Sequence, residues 1–339
     1  MKIKRIMFTD IGKAELLDAD SFAPKAGEVL VESAYSAISA GTTRAVLMRM
    51  PNTGAYLLDA SQLAGSCGYS STGIVKEIGE GVKSVSVGDR VLTIWGEHAS
   101  YNTVPERNVI KIEDDALDLK HAAFAFIATF PAAGLRKTRL EFGESAMILG
   151  MGILGAFAVQ LCRSAGAYPI IAADLNADRR KLAIDLGADY AFNPVDDGFL
   201  KSVKSVTDGK GVNAIIEVTG QSIALSQALS CAAPLGRISL LGCTRVSDVG
   251  IDFYQQVHRP GISIIGAHTN ARPKLESYPH YWTERDDSIA MLNFMAHGRI
   301  DMTKILSEVY YPEDASQVFH RLAENKDFPV GVAFDWTKK

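Results

Sequence analysis

Two patterns of apolar and polar residues follow one another along the chain. Over roughly the first 110 residues, short β-type segments such as Glu28–Ser33, Ser71–Ile78 and Asp89–Ile94 are separated by turns. Gly41, Gly65, Gly68, Gly73, Gly79, Gly81 and Gly88 punctuate them, and few long amphipathic helices fit, so a β-rich domain is expected. From Leu119 the texture changes. A mostly apolar run, His121 to Leu135, predicts a helix leading into Gly143-Glu144-Ser145. Short apolar strands then appear at Ala146–Leu149, Ile170–Ala173, near Ala191, and at Ala214–Val218, Ile238–Leu241 and Ser263–Gly266. Helical periods at Ile153–Ser164, Ala177–Leu186, Asp197–Val206 and Ile223–Cys231 separate them. Such alternation predicts an α/β fold, a doubly wound parallel sheet covered on both faces. After Gly266 it ends. Residues 270–287 are polar and aromatic with two prolines and read as a loop, followed by a helix, Ser288–His297, and a segment to Trp336 that returns to the first domain. The expected division is 1–126 with 268–339 for the β-rich domain and 127–267 for the α/β domain.

Composition narrows the function. A chain of 339 residues exceeds what one core usually serves, which agrees with two domains. The net charge of −4 supplies no basic field for nucleic acid and no cationic face for a membrane, so a small-molecule partner is expected. No apolar run is long enough to span a bilayer, and the basic N-terminus turns polar before a signal-peptide core forms. Cys67, Cys162, Cys231 and Cys243 show no paired spacing, which argues against a disulfide scaffold and for a reducing cytoplasm.

The strongest local signal is Ala146-Met-Ile-Leu-Gly150-Met-Gly152-Ile-Leu-Gly155. Gly150 permits a sharp turn out of the strand, Gly152 lets the backbone approach a diphosphate, and Gly155 lets the helix pack on the sheet. Ile153 and Leu154 open that helix, whose first N–H groups and dipole face the anion. Asp174 ends the next strand, 19 residues past Gly155, close to the spacing of a carboxylate that binds the adenosine ribose. It would repel a 2′-phosphate, which favours NAD(H) as cofactor. An Asp there can also cap the helix that follows. Thr219 and Gly242 end the fourth and fifth strands, at the sheet edge where ligands bind; plain strand-ending turns explain them equally well.

The order of segments resembles the medium-chain dehydrogenase/reductase superfamily, which joins a GroES-like catalytic domain to a Rossmann domain. The resemblance rests on Ser36-Ala-Ile-Ser-Ala-Gly-Thr-Thr43, Gly68-Tyr-Ser-Ser-Thr-Gly-Ile-Val75, Val82-Lys-Ser-Val-Ser-Val-Gly-Asp-Arg-Val91 with Gly96-Glu-His-Ala-Ser-Tyr101, and the Gly150 loop with Asp174. The first two stretches resemble a branch that includes bacteriochlorophyllide hydroxyethyl dehydrogenases. The departures are as informative. Where zinc-dependent members carry Cys, Gly-His-Glu and a third Cys or Glu, this chain has Ala40, Gly68-Tyr69-Ser70 and Ala125, and the four-cysteine lobe is missing. None of the three positions supplies a ligand, so no metal is expected.

The resemblance then implies that Tyr69, in place of the zinc-binding His, donates a hydrogen bond to a substrate oxygen and that Thr42 relays the proton. Tyr69 as mere packing is the competing explanation. Thr129 matches a residue that contacts the nicotinamide amide. His98 reads as a packing residue, His268 as a weaker candidate base, and His280 with Tyr278, Tyr281 and Trp282 as a substrate lid or a subunit contact; Trp95 is a candidate pocket residue. The implied activity is a zinc-independent, NAD(H)-dependent oxidoreductase acting on a secondary alcohol or ketone in a small polar or cyclic substrate. An enoyl or quinone reductase using NAD(P)H and a non-catalytic NAD(H) sensor are the alternatives. The apolar edge segment Gly261–Gly266, with the resemblance, implies a homodimer or homotetramer.

Overall fold

In β1 (Lys2–Asp10), Ile3, Ile6 and Phe8 are buried while Lys2 and Lys4 stay in water. In this computed structural model, which describes residues 1–53, 65–324 and 328–338, the strand begins the first of two units: Met1–Ile127, Ser288–Gly298 and Ile305–Lys339. β1 pairs antiparallel with β2 (Lys13–Asp20) and, on its other side, with a short β4 (Gly65–Ser66). Between them run β3 (Glu28–Ala37) and helix α1 (Ala40–Leu47). β5 (Ser70–Ile78), β6 (Arg90–Ile94), β7 (Tyr101–Pro105), β8 (Val109–Lys111) and the short α2 (Leu119–Ala122) follow.

From the far end of the chain, β15 (Leu306–Tyr310), α9 (Ala315–Glu324) and β16 (Gly331–Asp335) complete this unit. Seven strands form one sheet in the order β15-β16-β3-β5-β6-β8, with β7 also on β3. Two cores hold it: a valine-rich one from Val29, Val31, Val75 and Val91, and one in which Phe319 and Leu322 of α9 meet Ile6, Phe8 and Leu47. Sequence periodicity did not signal α1; it forms because Ala45 and Leu47 have a core to enter.

The second unit comprises Ala128–Asp287 and Arg299–Lys304. Helix α3 (Ala125–Lys137) leads into it. The predicted apolar helix from His121 is in fact broken at Ala123–Phe124 into α2 and α3. Then follow β9 (Ala146–Leu149), α4 (Ile153–Ser164), β10 (Ile170–Ala173), α5 (Ala177–Asp185), β11 (Tyr190–Phe192) and α6 (Phe199–Ser205). β12 (Val212–Glu217), α7 (Ser222–Cys231), β13 (Ala232–Leu240) and β14 (Ser263–Gly266) close the sheet. Its order, β11-β10-β9-β12-β13-β14, is that of a doubly wound nucleotide-binding sheet, and every pairing is parallel. All residues of β9 and β10 are buried, as expected of central parallel strands covered on both faces.

Helix α8 (Glu284–Ala296) starts four residues before the predicted Ser288, inside the stretch expected to be loop. Its start is specified by a reciprocal cap: the Thr283 hydroxyl accepts the Asp286 amide at 3.1 Å and donates to the Asp286 carboxylate at 2.9 Å. Among the described residues no helix is long and apolar enough to cross a membrane.

Candidate functional site

The turn from β9 into α4 uses its three glycines for three different reasons. Gly150 sits at φ +97°, and a Cβ there would lie 2.7 Å from Thr219 Cγ2. At Gly155 a Cβ would lie 2.0 Å from the Gly150 carbonyl oxygen, so the helix packs on the turn only because that atom is missing. Gly152 has an ordinary φ of −72°, and a Cβ there would meet nothing within 4 Å. Neither backbone strain nor packing inside the protein explains this glycine. Gly152 is the N-cap of α4 and brings no side-chain cap, so Ile153 and Leu154 offer the first amides of an uncapped helix.

Asp174 follows β10 and is half-buried beside this turn. One carboxylate oxygen accepts the Met151 amide at 2.7 Å, and the other accepts the Asn176 amide at 2.8 Å. The cap of α5 is Asn176, whose side chain accepts from Asp178 and Arg179, so Asp174 is not spent on capping. Arg180 donates to the carbonyls of Asp174 and Leu175, both at 2.8 Å, which holds the guanidinium along the backbone.

At the ends of β12 and β13 the geometry centres on a residue that sequence reading missed. Glu217 is fully buried. Its carboxylate accepts the Thr219 amide at 2.6 Å, the Gly220 amide at 3.0 Å and the Thr219 hydroxyl. Burial pushes its pKa up, while these hydrogen bonds pull the other way. Gly242 closes against the same group: its amide donates to the Glu217 carbonyl at 2.7 Å, and a Cβ would lie 2.2 Å from the Gly220 nitrogen. Thr219 and Gly242 are therefore brought together around Glu217. The available signal was a lone charge ending the apolar run Val212–Glu217.

Thr129, in α3, is fully buried. The Arg272 guanidinium grips it twice, donating to its hydroxyl at 3.1 Å and to its carbonyl at 2.8 Å. Arg272 lies 3.6 Å from the Asp287 carboxylate, which also pairs with Arg136 at 2.7 Å. Trp282 stacks under Arg136 at 4.2 Å, and Phe130 lies 5.5 Å from Arg272. Arg272 and Asp287, the buried half of this network beyond α3, were hidden in a stretch read as loop.

In the first unit, Tyr69 lies between β4 and β5 with Trp95 and Phe126 around it, at ring separations of 5.8 and 5.9 Å. Thr42 is exposed in the first turn of α1. His98 is a core residue, fully buried against Phe319 and Phe334, with Nδ1 sharing a 2.7 Å hydrogen bond with Ser36 Oγ. Burial lowers its pKa to about 3. His268 is exposed and accepts the Asn270 amide; His280 is exposed in a tight turn at φ +69°, where Tyr278 and Tyr281 form a bridge and their rings pack at a tilt.

The side chains at the zinc positions of the resemblance do not fit that ion. Ala40 and Ala125 offer methyl groups and Tyr69 a phenol. The neighbouring Cys67 donates to the Ile6 carbonyl in the core, where burial pushes its pKa far above the thiolate range. Among the described residues no three His, Cys, Asp or Glu side chains converge.

Two family models match the chain. The alcohol dehydrogenase GroES-like domain covers residues 25–114 and the zinc-binding dehydrogenase model covers residues 154–284. L-threonine 3-dehydrogenase of Pyrococcus horikoshii is 28% identical, over 78% of this chain and 82% of its own length. D-guloside 3-dehydrogenase of Escherichia coli is 28% identical, over 79% of this chain and 77% of its own. An Escherichia coli oxidoreductase/dehydrogenase of unknown specificity superposes with a TM-score of 0.86 at 20% identity, over 99% of each chain. The alcohol dehydrogenase TADH of Thermus sp. ATN1 gives 0.81 at 20% identity, over 98% of this chain and 99% of its own. With one model on each unit and the same architecture in its structural neighbours, the chain belongs to the medium-chain dehydrogenase/reductase superfamily.

Proposed function

We propose that the protein is a zinc-independent, NAD(H)-dependent oxidoreductase that interconverts a secondary alcohol and a ketone on a small polar or cyclic substrate. Gly152 carries this reading. It is a glycine that the protein itself does not require, standing before an uncapped helix, and what it spares is room for a ligand. The amides of Ile153 and Leu154 and the positive end of α4 suit a diphosphate there. Each Asp174 oxygen accepts one backbone amide and has a lone pair left for a ribose hydroxyl, and its charge repels a 2′-phosphate.

When bound, the dinucleotide supplies the hydride acceptor. In ketone reduction the Tyr69 phenol donates its proton to the substrate oxygen and Thr42, in an exposed helix turn, resupplies it from solvent, and in alcohol oxidation the same transfers run in reverse; Trp95 packs tilted and Phe126 edge-on against the Tyr69 ring. Thr129 binds the carboxamide end of the cofactor, and Thr219 and Gly242 border it through the Glu217 cluster. The names of the relatives, dehydrogenases of threonine and of a guloside, favour an alcohol-oxidising reaction over enone or quinone reduction. The likeness of Ser36–Thr43 and Gly68–Val75 to the bacteriochlorophyllide branch belongs to this proposal too.

Calorimetric titration with NADH and NADPH tests the reading: NADH binds more tightly, and Asp174→Ala loses most of that preference. Binding of neither nucleotide to folded protein overturns the function, and turnover of NADPH with enones or quinones replaces it with the reductase alternative. Tyr69→Phe lowers kcat by about a hundredfold or more, and chelators leave activity intact. Stoichiometric zinc whose removal abolishes turnover defeats the metal-free part. β14 forms the open edge of its sheet with Ile264 and Ile265 half-buried, which suits pairing with a second copy; light scattering at the monomer mass contradicts it.

A further inference from the structure

We infer that Glu217 is a positioning residue for the turn between β9 and α4, acting through the methyl group of Thr219, and that Thr219 gives the diphosphate site its shape and not a hydrogen bond. This rests on the reading of that turn as the diphosphate site.

Glu217 is an odd residue for its place. The strand ahead of it, from Ala214 to Ile216, is apolar and fully buried. Among the described residues no Lys, Arg or His acts on its carboxylate. A buried carboxylate without a counter-charge is costly, so its hydrogen bonds have to justify it. It satisfies three donors: the Thr219 amide, the Thr219 hydroxyl and the Gly220 amide, which reaches the two oxygens at 3.0 and 3.3 Å. A leucine there leaves two amides bare at the end of the strand, and a carboxamide turns its own N–H groups toward one of them. Gly242 makes room for the carboxylate, since a Cβ on it would lie 2.8 Å from Glu217 Oε2.

What the carboxylate achieves is the orientation of Thr219. That residue is exposed, so its hydroxyl is free by position to face water or a ligand. Instead the hydroxyl donates its single proton to Glu217 and accepts the Gln221 amide at 3.0 Å. With the oxygen turned inward, the staggered side chain directs Cγ2 at Gly150. A Cβ on residue 150 would meet that methyl group at 2.7 Å and Val218 Cγ2 at 3.1 Å. The methyl therefore fills the space that the glycine leaves. From the β10 side, Asp174 accepts the Met151 amide at 2.7 Å. The turn is thus clamped between the two strands that flank β9, and it presents the Ile153 and Leu154 amides from a fixed place.

The test measures dissociation constants of NADH, ADP-ribose and adenosine on the full chain by calorimetry. Thr219→Ser keeps the hydroxyl and drops the methyl, and its constants for NADH and ADP-ribose rise roughly fourfold. Thr219→Val keeps a methyl against Gly150 and drops the hydroxyl, and it binds both ligands more tightly than Thr219→Ser does. Glu217→Gln weakens both by about tenfold, while adenosine, which carries no phosphate, keeps its affinity. Should Glu217→Gln fail to fold, Glu217→Asp, one methylene short of the Gly220 amide, shows the same split between ligands. Thr219→Ser binding as tightly as Thr219→Val, or more tightly, means that the hydroxyl itself meets the cofactor and overturns the shape role. Adenosine weakening in step with ADP-ribose signals general loosening and overturns the positioning role of Glu217, as do wild-type affinities in its variants. If wild-type protein binds neither NADH nor ADP-ribose, it is the functional reading that fails.

Discussion

Three glycines within six residues look interchangeable in the sequence, yet each answers a different physical demand. Gly155→Ala places a methyl group 2.0 Å from a backbone oxygen, which no side-chain rotation relieves. The expected loss is about 1–3 kcal/mol of stability, read by urea unfolding. Gly152→Ala adds a methyl group in open space at a permitted φ. Its melting temperature stays within about 2 °C of wild type, while calorimetry shows NADH affinity falling by tenfold or more. Equal loss of stability in both variants would place Gly152 in the packing and remove the main support for a ligand there. The sequence motif pointed to the right residues because strand, turn and helix are contiguous. It could not say that only one of the three glycines is dispensable to the fold.

At the scale of elements, the helices and strands of the second unit were legible wherever periodicity and burial agreed, as at α4, β9 and β10. The misses share a cause. Helix α8 begins within a polar, proline-containing stretch, and its first turn is specified by the Thr283–Asp286 cap rather than by an apolar stripe. Thr283→Ala therefore destabilises the protein by about 1 kcal/mol in urea unfolding, whereas Thr283→Ser retains most of the cap. The break between α2 and α3 was invisible for the opposite reason: residues His121–Leu135 are so uniformly apolar that no periodicity marks a boundary. Glu217 went unseen because a charge at a strand end ordinarily faces water; here four hydrogen bonds from Thr219 and Gly220 let it stay inside.

Across the whole molecule, burial of charge and of titratable groups sets the response to pH. His98 has a folded pKa of about 3, against an ordinary histidine value of 6.5. The unfolded chain therefore takes up a proton near pH 6.5 that the folded protein refuses. Stability falls as pH drops below that value, by about 1.4 kcal/mol per unit for this one group, and the loss levels off only near pH 3. His98→Phe keeps a ring against Phe319 and Phe334 and flattens the slope between pH 6.5 and 5 in chemical denaturation. An unaltered slope would show that another group governs it.

Local sterics and hydrophobic period are properties of neighbouring residues, so the amino-acid sequence alone determined the doubly wound sheet, the β9–α4 turn and the position of Asp174. Which polar groups leave water is a different matter. Arg272 meets Thr129 across 143 residues of chain, and Asp287 becomes a buried counter-charge only when α3 and α8 are folded into place. Desolvation depends on everything that packs around a group, and so these partnerships were decided by tertiary structure.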